Sequence, residues 1–222
     1  MVGAKGLPWN GRPERLTAMN AQEPPASSAH YALSFDVDYP DRPLNRLTTA
    51  FRIFTVIPIV VVLSALGAVS GSGGGLLFLP PLLMIVFRQK YPRWWFDWNR
   101  EFLRFSNRVY AYGLLLNDQY PSTDEEQYVR LEVTYPDAKN GLNRWLPLVK
   151  WFLAIPHYLV LLFLWIGALF VVIVAWFAVL FTGRYPRGLF DYVVGVMRWG
   201  NRVTAYAFLL ITDEYPPFRL GP

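Results

Sequence analysis

Two long stretches of this chain are almost free of charge. No Lys, Arg, Asp, Glu or His occurs from Ile53 to Phe87, and only His157 interrupts the stretch from Trp151 to Gly183. A membrane-crossing helix needs roughly 20 predominantly apolar residues, so two such stretches make lipid their expected solvent. As one straight helix, Trp151 to Thr182 would extend about 48 Å at 1.5 Å per residue, against a hydrocarbon core of roughly 30 Å. Each stretch is therefore expected to fold back as a helical hairpin. Gly71-Ser72-Gly73-Gly74-Gly75 supplies the turn of the first, and the turn of the second is placed near Gly167 by correspondence. The second hairpin starts near Leu146 with Lys150 as a snorkelling end residue, a role that falls to Arg52 in the first. The arm from Leu76 to Phe87 is short and interrupted by Pro80-Pro81. Four transmembrane segments are expected, with two re-entrant hairpins as the alternative. Hairpins leave every Lys and Arg on one side, which by the positive-inside rule puts both termini in the cytoplasm.

Two other periods lie outside these stretches. Leu33, Phe35, Val37 and Tyr39 alternate with Ser34, Asp36 and Asp38; Val129, Leu131, Val133 and Tyr135 alternate with Arg130, Glu132 and Thr134. Period two marks half-buried strands. A lone strand leaves its backbone groups unpaired, so the two are expected to pair with each other, or with a partner, outside the bilayer. Steps of three and four join Trp95, Trp98, Phe102, Phe105, Val109, Tyr112 and Leu116, and again Leu189, Tyr192, Val196, Trp199, Val203, Tyr206 and Leu210. Each set makes one face of an amphipathic helix. Asp97, Arg104 and Arg108, mirrored by Asp191, Arg198 and Arg202, lie on another face. Such helices suit the membrane interface, with Arg reaching headgroups; packing of the stripe on the protein's own core is an equal alternative.

The two sets of features follow one order. Tyr39-Pro40-Asp41 matches Tyr135-Pro136-Asp137, Leu44-Asn45-Arg46 matches Leu142-Asn143-Arg144, Tyr91-Pro92-Arg93 matches Tyr185-Pro186-Arg187, and Asn107-Arg108-Val109 matches Asn201-Arg202-Val203. The expected organisation is a disordered leader over 1–29, where Met19 offers a second start, then one repeat over 30–122 and another over 123–218. Each repeat reads strand, hairpin, amphipathic helix. The fold class is an all-α integral membrane protein with short β-strands outside the bilayer.

Composition agrees, with 54% hydrophobic and 17% charged residues among 222. The net charge of +5 belongs to basic residues flanking apolar segments, as at anionic headgroups, and does not form the contiguous surface that nucleic acid requires. No Cys is present, which removes disulfides, thiolate catalysis and Cys-ligated metals. His30 and His157 have no catalytic motif around them, and His157 reads as a packing or interfacial residue. No enzyme activity, cofactor or metal is expected. The candidate contacts to lipid headgroups or a partner are Arg104, Arg108, Arg198, Arg202, Asp97 and Asp191, with capping and tethering as their structural alternative.

Ile155-Pro156-His157, Ala175-Trp176-Phe177, Tyr185-Pro186-Arg187-Gly188-Leu189-Phe190-Asp191, Arg198-Trp199 and Asp213-Glu214-Tyr215-Pro216-Pro217-Phe218 resemble the bacterial membrane family called domain of unknown function 4389. Counting both repeats, the resemblance covers nearly all of the chain after His30. It implies a bacterial inner-membrane location and no activity. The expected function is a non-enzymatic accessory or scaffold subunit of a membrane complex, with a membrane-protein partner or a second copy. Anionic-lipid binding or membrane shaping is the alternative, and a small transporter a third class.

Overall fold

A computed structural model describes residues 31–70, 79–123, 125 and 127–222. The expected leader and the glycine turn at 71–75 lie outside the described residues. The elements run β1 (Leu33–Val37), α1 (Arg46–Ala50), α2 (Arg52–Ser70), α3 (Leu79–Leu83) continued by a π-helical turn over Met84–Arg88, α4 (Arg93–Gly113), β2 (Val129–Val133), α5 (Pro147–Leu153), α6 (Ile155–Thr182) and α7 (Arg187–Ala207).

The two alternating segments form the two strands and pair with each other. β1 and β2 are antiparallel, with Phe35 opposite Leu131 at the centre and Leu33 and Val37 opposite Val133 and Val129. Leu33, Phe35, Val37, Val129 and Leu131 point into the core, while Asp36, Asp38, Arg130 and Glu132 stay exposed on the other face. The inner face lies on the amphipathic helices: β1 packs on α7 and β2 on α4. Each strand therefore covers the helix of the opposite half of the chain.

α4 and α7 are in turn covered by apolar helices, α2 on α4 and α6 on α7. Phe105 and Val109 of α4 pack with Ile59, and Trp199, Val203 and Tyr206 of α7 pack with Ala154 and Leu161. Most of the aromatic stripe residues thus meet the chain's own helices and strands, while Trp98 stays 45% exposed. The layers run from sheet, through α4 and α7, to an outer layer containing α2 and α6.

The second apolar stretch differs from its expected hairpin. Gly167 sits in the middle of one continuous helix of 28 residues, about 42 Å long at the α-helical rise. A single Gly costs a helix only about 1 kcal/mol, and nothing else near it breaks the run. Close approach explains the glycine: a Cβ there would fall 2.6 Å from the Tyr192 hydroxyl, which donates to the Leu164 carbonyl at 3.0 Å. Length is instead taken up at the start, where α5 ends at Leu153 and Pro156 occupies the first turn of α6, a position that needs no N–H. Gly183 closes α6 in the left-handed conformation, φ 73°, and its N–H donates to Val179 at 2.7 Å. At the aligned position of the first half Gln89 is also left-handed, φ 49°.

Among the described residues α6 is the one helix long and apolar enough to cross a membrane; Arg52–Gly67 and Leu79–Arg88 are apolar but shorter. Only 17% of the most apolar window of α6 is buried, unlike the core helix of a soluble protein. Phe170 and Phe181 are 65% and 77% exposed. This surface points to membrane association.

Candidate functional site

The expected snorkelling pair is inside the protein. Arg52 is 2% and Lys150 0% exposed, and each meets a carboxylate from the segment that follows the amphipathic helix of its own half. The Arg52 guanidinium binds Asp118 and also donates to the carbonyls of Tyr112 at 3.0 Å and Asn117 at 2.6 Å. Lys150 Nζ lies 2.7 Å from Asp213 and donates to the Thr212 carbonyl at 2.6 Å. Both cations lie over a tyrosine ring, Arg52 4.1 Å from the centroid of Tyr112 and Lys150 5.2 Å from that of Tyr206. Burial pulls the Lys150 ammonium below the ordinary lysine range, and Asp213 pulls it back. The same carboxylates accept the backbone N–H of Asn45 and of Asn143, so each ion pair ties an apolar stretch to both of its flanks. Snorkelling fails because a closer carboxylate and carbonyls replace the water that the cation leaves.

The arginines of the amphipathic helices are likewise held within the chain. Arg104 donates to the Leu131 carbonyl at 3.1 Å and Arg198 to the Phe35 carbonyl at 2.9 Å, so each fastens the strand of the opposite half. Arg198 also binds Asp36 at 2.8 Å and the Leu220 carbonyl at 3.0 Å. Arg108 donates to Ser122 at 2.8 Å, and Arg202 to the carbonyls of Arg219 and Gly221. Each of these arginines thus has at least one backbone carbonyl as acceptor. Asp97 is half-buried between Arg93 and Arg100, at 3.6 and 3.5 Å; Asp191 is exposed in a hollow that also holds Arg187 and Arg198.

Asn107 and Asn201 face each other across the middle of the molecule, each amide donating to the other's carbonyl oxygen at 2.9 and 2.7 Å. Further contacts are exchanged in the same way. The Tyr39 hydroxyl donates to Tyr185 and that of Tyr135 to Tyr91; Arg187 covers Tyr39 and Arg93 covers Tyr135. Burial raises the phenols of both Tyr91 and Tyr185 above the usual tyrosine range. Replacing Asn201 alone by Leu leaves Asn107 without its partner and is expected to cost about 1–3 kcal/mol. Replacing both by Leu should restore more than half of that loss, as read by denaturant unfolding in detergent.

His157 is 0% exposed. Its Nδ1 accepts from the Trp199 indole at 3.1 Å, and Phe218 stacks on the ring with 4.0 Å between centroids. It is a packing residue in an aromatic cage. Among the described residues no three His, Cys, Asp or Glu side chains converge as a metal site. One cleft of about 350 Å³ opens beyond the end of α6, lined by Tyr39, Asp41, Arg42, Arg184, Tyr185 and Arg187.

Residues 145–219 match the family described as Domain of unknown function (DUF4389). The match takes in α5, α6, α7 and most of the tail, and residues before 145 lie outside it. No curated protein and no solved structure is significantly similar to the chain.

Proposed function

We propose that this chain is a non-enzymatic membrane protein, an accessory or scaffold subunit built from two tandem copies of the unit that the family match covers once. The apolar outer face of α6 carries this reading, with Phe163, Phe170 and Phe181 exposed along its length and no layer among the described residues over them. The exchanged contacts of Tyr39 and Tyr135, and of Arg104 and Arg198, support two equivalent copies. The recurring polar side chains hold the protein together, which suits a scaffold better than a reaction centre. A bacterial inner membrane, with the basic polar layers on its cytoplasmic side, is the setting that the family resemblance and the positive-inside rule favour.

Membrane residence and partnership are separately testable. The full chain should stay with the membrane pellet after alkaline carbonate washing. In mild detergent it should purify as a complex of fixed stoichiometry, with another membrane protein or a second copy. A monodisperse monomer without partners would sink the scaffold reading.

Anionic-lipid binding is kept as a second reading because of the cleft beyond α6. Arg42 and Arg184 are exposed there and have no side-chain partner among the described residues, unlike the four helix arginines. Flotation with phosphatidylglycerol vesicles should weaken when Arg42 and Arg184 become Gln; unchanged flotation counts against this reading.

A further inference from the structure

Resting on the membrane reading above, we propose that α6 does not cross the bilayer but lies along it, embedded with the outer face of α2 in a single leaflet.

Both ends of α6 are fastened to the same polar body. At its start, the Tyr215 hydroxyl donates to the Leu153 carbonyl at 3.1 Å, Lys150 meets Asp213, and His157 is caged by Trp199 and Phe218. At its end, the N–H of Leu44 donates to the Gly183 carbonyl at 2.8 Å and the Tyr39 hydroxyl to that of Tyr185 at 2.5 Å. Between these ends the helix stays in contact through His157, Leu161, Ala168, Ala175 and Val179, all buried, at steps of four and seven. No part of α6 longer than two turns leaves the body.

The strand layer runs the length of this contact. Near the start of α6, Tyr31 donates to the carbonyls of Arg202 and Glu214; near its end, Tyr39 donates to Tyr185. From Tyr31 to Tyr39 the chain covers about 26 Å at 3.3 Å per residue, close to the roughly 30 Å thickness of the hydrocarbon core. A spanning α6 would therefore draw the sheet through the bilayer beside it, with Asp36, Asp38, Arg130 and Glu132 exposed on the face turned away from the helices. Even paired, as Asp36 is with Arg198 and Asp38 with Arg130, charges on a face turned to hydrocarbon would lose the water that solvates them.

An in-plane helix meets no such obstacle. A helix with its side chains is about 10–12 Å across, within the roughly 15 Å depth of one leaflet's hydrocarbon. Its backbone groups are satisfied internally at any orientation. α2 adds Ile53, Phe54, Ile57 and Val61 to the exposed apolar surface, and α1, which leads into it, is joined to α6 by the Trp176 indole donating to the Thr49 carbonyl at 3.1 Å. Exposed Trp94 and Trp145 stand where the chain leaves or enters this layer, at the level where indoles prefer to sit.

The absence of Cys makes the test direct. Full-length Lys139→Cys and Arg184→Cys, both at exposed positions flanking α5 and α6, are treated with a membrane-impermeant maleimide in sealed vesicles of each orientation. The same vesicle orientation should label both, and the other neither. Spin labels at Leu159, Ile166 and Ile173 should report one common depth, within a few ångströms. Labelling from opposite sides, or depths that change by about 10 Å per seven residues, overturns the in-plane helix while leaving membrane residence intact. Release of the untreated chain by alkaline carbonate overturns both.

Discussion

Asp213→Ala is expected to destabilise the protein by about 3–5 kcal/mol, the cost of leaving a buried cation without its partner. Lys150 is wholly enclosed, with Asp213 and the Thr212 carbonyl at its ammonium. Without the carboxylate the lysine must lose its proton, distort the fold or remain charged under the Tyr206 ring. Asp118→Ala should act in the same direction through Arg52, which cannot escape by deprotonation. Lys150→Met combined with Asp213→Ala should recover most of the loss, since a buried pair exchanged for apolar groups of similar volume is often neutral. Asp97→Ala is the contrast: its arginines are 3.5 Å or more away and its side chain is 41% accessible, so about 0–1 kcal/mol is expected. Chemical unfolding in one detergent, with all variants side by side, reads these differences.

Trp199→Ala should cost about 3–5 kcal/mol, the range for removing a large buried aromatic side chain. The indole lies edge-on to both His157 and Phe218, with ring centroids 5.9 and 5.4 Å away. It also supplies the donor to His157 Nδ1. Trp199→Phe keeps most of the volume and removes that donor, so its smaller loss, about 1–3 kcal/mol, isolates the hydrogen bond. Thermal unfolding followed by near-ultraviolet circular dichroism would separate the two, because the cage contributes rigid aromatic rings. The cage joins the start of α6 to the tail, so the Ala variant should also make residues 213–222 more accessible to protease.

Much of this arrangement is legible in the amino-acid pattern, and the reasons for the rest are physical. Alternation around Phe35 and Leu131 announces two strands because burying one sheet face imposes period two, and their short length argues for pairing. The apolar character of α6 is equally plain. Its course is not: the expected hairpin rests on comparing helix length with bilayer thickness, and its turn near Gly167 on correspondence with the glycine run of the first stretch. Gly167 reports contact with Tyr192, and a close approach leaves the same glycine that a turn would. Arg52 and Lys150 stand at aligned positions, but their partners were missed. A usable signal was present in Asp118 and Asp213, each two residues before a Tyr-Pro in its half. Arg104 and Arg198 find backbone carbonyls of strands far away in sequence, and carbonyls carry no side-chain signature by which a sequence could nominate them.

The exchange of strands between the two halves sets a timetable for biosynthesis. Leu33 to Val37 leave the ribosome before their ladder partners, Val129 to Val133, are made, and Arg198, which holds Phe35, lies 163 residues beyond it. Until then β1 is an open edge with one apolar face, the kind of segment that pairs with a neighbouring chain when left uncovered. A nascent chain stopped before β2 should therefore be aggregation-prone, and shielding by a chaperone or by early insertion of α2 becomes part of how the protein is made.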